Sequence, residues 1–313
     1  MMTFQTTVLS MRSRLFVVLA AVGFATTGTA QQLGPDASSP LAVAAFRFII
    51  GSLALFALSK IRTNSVQRLN DQDGTHSVRV SLWIVTAFGQ ALYGAAFFSA
   101  VRSTGVAVGT VVALGSAPLI TGIISATMSR KFPTLTWLCT TMFAIVGMGL
   151  IVASGNESQV TVSGVVLALA AGLGYALFAL GSKNILASGV SSELAMAKVF
   201  GIASLMLAPA LFFVNLAWLF HRDAIVMVLW LGFVTLALAY WSYATGLRHL
   251  EPSQTTLITL VEPVVATVLG VVVLSERPSP VAWLGVLIVI ASLLAESRNA
   301  SKILPHNRIR SNA

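Results

Sequence analysis

Three charged side chains, Arg47, Lys198 and Glu262, stand inside or at the edges of long apolar runs in a 313-residue chain that is only 9% charged. An acid or base held in hydrocarbon costs roughly 2.5 to 3.5 kcal/mol on insertion scales, so it persists where a cavity or a partner compensates. Glu262 is the most informative of the three. Thr255, Thr259 and Glu262 follow one another at i, i+4 and i+7, and small Ala266 continues the row, so a helix would carry them as one polar, roomy stripe. A carboxyl in that setting can load and unload a proton, or it can be a structural group hydrogen-bonded to a neighbouring helix. Arg47 reads as a partner for Glu262, as a holder of a substrate carboxylate, or as a side chain that packs or snorkels to a membrane face. Lys198, near the start of its apolar run, is expected to snorkel to the headgroups.

A second constellation is aromatic and amide in character. Gln90, Tyr93 and Phe97 share one helical face, Tyr240 and Tyr243 share another, and together they are expected to wall an amphipathic pocket. Thr26, Thr27, Thr29 and Gln31 add polar groups late in the first apolar run. Gly105 and Gly109 form a GxxxG pair that close helix packing explains fully.

The elements that must position these groups are membrane helices. Apolar residues make up 56% of the chain, whereas a soluble domain carries about 25% charged residues. Runs such as Leu15 to Ala30, Val106 to Met128 and Trp137 to Ala153 are free of charge and approach the ~20 residues a helix needs to cross ~30 Å of hydrocarbon. They lack the strict alternation of a transmembrane barrel strand. The spacing predicts spans over 15–32, 40–58, 81–101, 106–128, 135–153, 162–180, 194–213, 225–247, 253–274 and 281–295. Arg12 and Arg14 before the run to Ala25, with Gly28 and Ala30 after it, also spell a signal-peptide pattern. A further apolar run from Pro40 favours a retained helix.

Fourteen of the 19 Lys and Arg residues then fall on the side of the amino terminus and three opposite, with Arg47 and Lys198 within spans. By the positive-inside rule both termini are expected in the cytoplasm, at the inner membrane, with an even number of spans. The net charge of +9 is accounted for by these loops and calls for no nucleic-acid partner.

The chain also echoes itself. One shift brings Thr110 onto Thr255, Pro118 onto Pro263 and Pro133 onto Pro278, and a shift one longer brings Arg102 onto Arg248. Ser116-Ala117-Pro118 thus stands opposite Val261-Glu262-Pro263. Five helices per half is odd, so the halves must enter the bilayer from opposite sides, the inverted arrangement that gives two near-equivalent packings around a midplane site. The expected fold is therefore an all-α membrane protein of ten transmembrane helices in two inverted five-helix repeats. Residues 1–157 form the first, 158–298 the second, and 299–313 a basic cytoplasmic tail.

Other chemistries lack their parts. The sequence holds no GxxxxGK[ST] phosphate loop, so a gradient rather than ATP is the expected energy source. His76, His221, His249 and His306 all lie outside the spans, no aspartate lies within one, and single Cys139 sits in an apolar run. No enzyme, metal site or cofactor is expected.

The stretch from Ser253 to Ala295, with Glu262-Pro263, Ser275-Glu276-Arg277-Pro278 and Gly285, resembles the closing signature of the drug/metabolite transporter superfamily, in its ten-helix EamA-like branch. Thr26 to Gln31 and Pro40 to Arg47 resemble the opening pair of helices of that family. The resemblance implies a secondary carrier, commonly an exporter of amino acids, other metabolites or drugs, with five-plus-five inverted helices around a central cavity. It also matches Glu276 to an acidic position at the end of the ninth helix. The first half departs from the pattern, with Lys131 at the corresponding acidic position and Phe24-Ala25 where Trp-Gly is common. The partners expected are a small-molecule substrate and the bilayer, with protons the candidate coupling ion. The competing reading is a sensor or scaffold that keeps a carrier fold without transport.

Overall fold

The computed structural model describes residues 2–35, 38–66, 78–130, 133–153, 161–275 and 277–302. Glu276, Lys131, most of the polar loop expected between Lys60 and Arg79, and the basic tail beyond Lys302 lie outside the described residues. Everything described is helix or short link, with no strand among the described residues. In order these are α1 (Met2–Gln32), α2 (Pro40–Val66), α3 (Val80–Ser129), α4 (Leu135–Ala153), α5 (Val162–Ala187), α6 (Ser192–Leu207), α7 (Arg222–Gly232), α8 (Ala239–Leu247), α9 (Pro252–Ile258), α10 (Val261–Leu274) and α11 (Pro280–Lys302). Among the described residues, eight helical stretches are long and apolar enough to cross a bilayer, and Leu135–Ile151 and Pro280–Glu296 are shorter apolar helices.

The spans expected over 81–101 and 106–128 fall in one element, α3, of 50 residues. A straight helix of that length would reach about 75 Å, far beyond the hydrocarbon. It does not run straight. Gly89 packs on Gly174 of α5 while Ser116 packs on Gly172 of the same helix, and Ala96 and Ala113 share a cluster with Ala168 and Ala171. The element therefore doubles back between two arms, Val80–Phe97 and Gly109–Ser129, that flank α5.

Small residues set these contacts. α5 presents Gly164, Ala168, Ala171, Gly172, Gly174 and Ala176 inward. A methyl group added at Gly89 would sit 2.7 Å from the Gly174 carbonyl oxygen, so the two backbones touch. At a second seam, a methyl added at Gly23 of α1 would sit 2.8 Å from Ala239 Cβ of α8. Further pairings are α2 on α6, α4 on α11 through Gly147 and Gly285, and α1 on α9 and α10. Large apolar side chains such as Phe212, Phe220 and Leu135 point outward, which suits a lipid surround rather than water.

The second half of the chain is the irregular half. The span expected over 194–213 leaves α geometry at Ala208, where Pro209 begins a 3₁₀ segment to Phe213. Between α7 and α8 the residues Phe233–Leu238 form a π-helical turn. The span expected as one helix over 253–274 parts at Thr259 and Leu260 into α9 and α10. Pro263 offers no N–H to the Thr259 carbonyl, and the Glu262 N–H takes that carbonyl instead at 2.9 Å. Leu260 N–H bonds the Leu257 carbonyl at 3.0 Å. These tightened turns start a new helix with Glu262 in its first turn.

Candidate functional site

A cavity of about 790 Å³ is lined mainly by α1, α2, α3 and α10, with single residues from α4, α5, α8 and α11. Its rim is made by Gln31 and Gln32 at the end of α1, Ser38 in the link to α2, Phe97 and Thr110 at the turn of α3, Ile151 near the end of α4, and Arg277 and Pro278 in the link to α11. All of these sit at the end of the bundle remote from the start of α1, so the cavity opens on that face. Its depth is lined by Gln90, Tyr93, Tyr175, Tyr240, Thr259 and Glu262.

Six of the eight residues expected to form the site converge here: Arg47, Gln90, Tyr93, Tyr240, Thr259 and Glu262. Glu262 sits in the first turn of α10, where the helix dipole favours negative charge. Arg47 reaches from α2 and donates through Nη2 to the Thr235 carbonyl at 3.0 Å. Thr235 lies in the π turn, whose extra residue leaves backbone carbonyls off the regular i to i−4 ladder. The guanidinium is close enough for its charge to act on Glu262, while its Nε is buried with no hydrogen-bond partner. Of the readings open for Arg47, packing of its fork against the kinked helix is realised, and a donor remains for a ligand.

Gln90 is almost wholly buried and donates through Nε2 to the Tyr240 hydroxyl at 3.2 Å, leaving its Oε1 unpartnered. Tyr240 in turn packs between Phe24 and Phe200, at ring-centroid distances of 4.6 and 4.4 Å. Tyr93 stacks on Phe97 at 5.6 Å and tilts against Tyr175 at 5.5 Å. The site therefore pairs an aromatic wall with a few convergent polar groups, the usual make-up of a small-molecule pocket, and its volume falls in the usual range.

Two expected members stand outside it. Thr255 is fully buried on α9, below the helix break, and its hydroxyl is turned back onto the Glu251 carbonyl at 3.0 Å. The stripe that periodicity drew from Thr255 to Glu262 is interrupted at Thr259, because a rotation of 100° per residue no longer holds across the break. Tyr243 is buried one turn away from the cavity, against Tyr175 and Phe178. Lys198 stands on α6 with its ammonium 5.2 Å from the Trp83 ring centre, so it packs on an aromatic face at the N-terminal end of the bundle.

Residues 11–153 and 162–296 each match the EamA-like transporter family. The chain belongs to that family. An EamA-like chain is a multi-pass integral membrane protein and a membrane transporter, which agrees with the helices and cavity above. It is 33% identical over 288 residues to the uncharacterized transporter YwfM of Bacillus subtilis (strain 168), covering 90% of this chain and 93% of the relative. A protein crystal structure superposes with a TM-score of 0.79 over 94% of this chain and 99% of its own, at 18% identity, a likeness of fold.

Within this EamA-like fold the sequence left several cavity residues unmarked. Phe24, Phe48 and Tyr175 complete the aromatic wall, and Thr267 lines the cavity one turn beyond Pro263. Tyr175 carried a usable signal, since it stands one residue after Gly174 on the helix face where backbones approach most closely. The Thr235 carbonyl carried none, because a π turn is set by packing around it.

Proposed function

We propose that the protein is a secondary carrier that exports a small amphipathic solute, with Glu262 as its coupling or binding group. The observation that carries this reading is the placement of Glu262: a carboxyl at the start of a half-helix, facing a cavity open to one face. Broken helices whose N-termini point into a midplane cavity are a recurring device for binding ions and charged groups. Arg47 supplies a fixed positive charge, Gln90 an unpartnered acceptor, and Tyr93 and Tyr240 flat apolar surface. A solute with both a charged head and a planar or apolar body fits that lining, which includes amino acids, other metabolites and drugs.

Two inverted repeats, residues 1–157 and 158–298, give the carrier its mechanism in this reading. Support comes from contacts that trade places between the halves. Gly23 of α1 meets Ala239 of α8, while Gly174 of α5, which follows Gly23 by nearly the same interval as Ala239 follows Gly89, meets Gly89 of α3. Helices α2 and α6 pair with each other, as self-matched elements should, and Phe48 meets Phe200 there at 5.2 Å. Taking α1 to α11 as ten spans puts both termini in the cytoplasm of the inner membrane, and the cavity then opens outward.

The test is flux in liposomes. The purified chain is reconstituted and loaded in turn with labelled amino acids and cationic dyes, and a pH gradient is imposed. Wild type is expected to move at least one solute with the gradient, and Glu262→Gln to lose at least tenfold of that flux. Unchanged gradient-driven flux in the variant rejects the coupling role.

A further inference from the structure

The end of the bundle opposite the cavity mouth is closed, and side chains counted in the sequence as loop charges close it. Lys183, at the end of α5, donates through its ammonium to the carbonyls of Leu247, Arg248 and Leu250 at 2.9, 2.9 and 2.8 Å. Those carbonyls belong to the last turn of α8 and the link to α9. Arg248 reaches back, its Nε donating to Ser192 Oγ at 3.0 Å and its Nη2 to the Val190 carbonyl in the link from α5 to α6. Trp241 of α8 donates to buried Glu193 of α6 at 3.3 Å. From the other flank, Glu296 accepts from Thr140 at 3.3 Å and is bonded by Gln254 of α9.

The Lys183 bonds cross between two bodies. α5 is packed along both arms of α3, whereas α8 and α10 are packed along α1, and α9 touches α1, α3 and α5. The cavity lies between the same two bodies, and on its closed side Thr121 of α3 and Thr255 of α9 are fully buried. A cavity served from one face at a time needs a seal on the other face that can be undone. Hydrogen bonds from one ammonium to three carbonyls add a polar seal at the edge of the apolar core in which Phe178 and Ile185 of α5 cluster with Tyr243 and Leu247 of α8.

We propose that Lys183 and Arg248 form a polar latch that closes the N-terminal face and is released to open the cavity to that side. The proposal rests on the carrier reading above. It also carries an asymmetry, because the spacing that takes Gly23 onto Gly174 takes Gln32 onto Lys183. Gln32 stands exposed at the open mouth. A neutral amide there makes a weaker seal than an ammonium on three carbonyls, so the state open at the mouth is the resting state.

The test uses the full chain in liposomes with Cys139 replaced by Ala and a single cysteine at Thr255, behind the latch. A membrane-impermeant maleimide is applied to the N-terminal face. Labelling is expected to be slow with the latch intact, and at least tenfold faster with Lys183→Met or Arg248→Met. Lys183→Arg keeps a cation over the carbonyls and is expected to stay within threefold of the parent. Ser192→Ala, which removes one bond and little volume, is expected to quicken labelling about threefold and covers the case in which the methionine variants fail to fold. Equal labelling in all of these proteins would overturn the latch and leave Lys183 as a cap on α8. Faster labelling in a protein that moves no solute supports the latch and removes the carrier reading. Unchanged labelling with intact flux removes the latch and keeps the carrier.

Discussion

The helix carrying Pro118 and the helix carrying Pro263 occupy matching places in the two halves, yet only the second is broken. Around Pro118 the arm Gly109–Ser129 stays helical, Ala117 is buried, and the Thr121 hydroxyl donates to the Ala117 carbonyl at 2.7 Å. Around Pro263 the chain parts at Thr259 and Leu260, and Glu262 opens α10 beside the cavity. The π turn before α8 and the 3₁₀ segment after α6 fall in the same half. Proline alone therefore does not break a membrane helix. What differs is the neighbour, a small apolar residue that tolerates packing in one half and a carboxyl that requires a polar space in the other.

The largest expected effect exchanges those neighbours. Ala117→Glu puts a carboxyl into an unbroken, packed helix, at a cost of about 2.5 to 3.5 kcal/mol on insertion scales. Recovery of folded protein from membranes, followed by detergent gel filtration, should fall severely. Glu262→Gln keeps shape and removes charge, so it is expected to fold normally while losing flux. If Ala117→Glu folds as well as wild type, the contrast between the halves is not one of polar space.

Next in size are the two glycine seams. A methyl at Gly174 would meet backbone, 2.5 Å from the Gly89 oxygen and 2.7 Å from the Tyr93 nitrogen, whereas at Gly23 it would meet the Ala239 methyl at 2.8 Å. The clash at Gly174 is closer and involves two backbone groups against one atom at Gly23, so Gly174→Ala should cost more than Gly23→Ala, within about 1 to 3 kcal/mol for overpacking. Gly28→Ala, with nothing within 4 Å, is expected to be neutral. Thermal denaturation in detergent ranks the three.

How much of this was legible in the sequence follows from the same contrast. Helical class, membrane setting and the convergence of Arg47, Gln90, Tyr93, Tyr240, Thr259 and Glu262 were readable, because charge in an apolar run and helical periodicity are local signals. Thr255 lies off the cavity because the break at Thr259 interrupts the regular helix that the inference assumed, whereas Tyr243 shares regular α8 with Tyr240 and lies behind the cavity because its ring packs on Tyr175 and Phe178. The doubling back of α3 was legible as two spans, although the backbone keeps helical form through the turn. The roles of Lys183, Arg248 and Glu296 were hidden, since a loop charge and a latch have the same sequence appearance until the partner carbonyls are known.

A smaller effect separates the two tyrosines of α8. Tyr240→Phe removes the hydroxyl that Gln90 bonds and leaves a second unpartnered group on that amide, beside the cavity. The KM for solute is expected to rise about five- to tenfold, the low end of the roughly 1 to 3 kcal/mol for a buried group left unsatisfied. Tyr243→Phe, behind the cavity, should change KM by less than twofold. Equal effects from both would place the solute deeper than the cavity floor.

The smallest effect is the pH response of the closed face, where His249 lies in the link between α8 and α9. Partial burial, then the charges of Lys183 and Arg248, hold its pKa below the ordinary 6.5 while the latch is shut. With the latch open the imidazole is better solvated and further from Lys183, so its pKa returns toward the ordinary value. Well above pH 6.5 the imidazole is neutral in both states and pH does not act on the latch through this group. Below it the open state takes the proton first, so the shut population declines as pH falls, and levels off once the shut-state imidazole is protonated too. Maleimide labelling at Thr255→Cys should therefore quicken modestly between pH 7 and pH 5, after correction for the reagent's own pH dependence. His249→Gln should abolish that change, and persistence of the full pH response in that variant would assign it to another group, with Glu296 the next to replace.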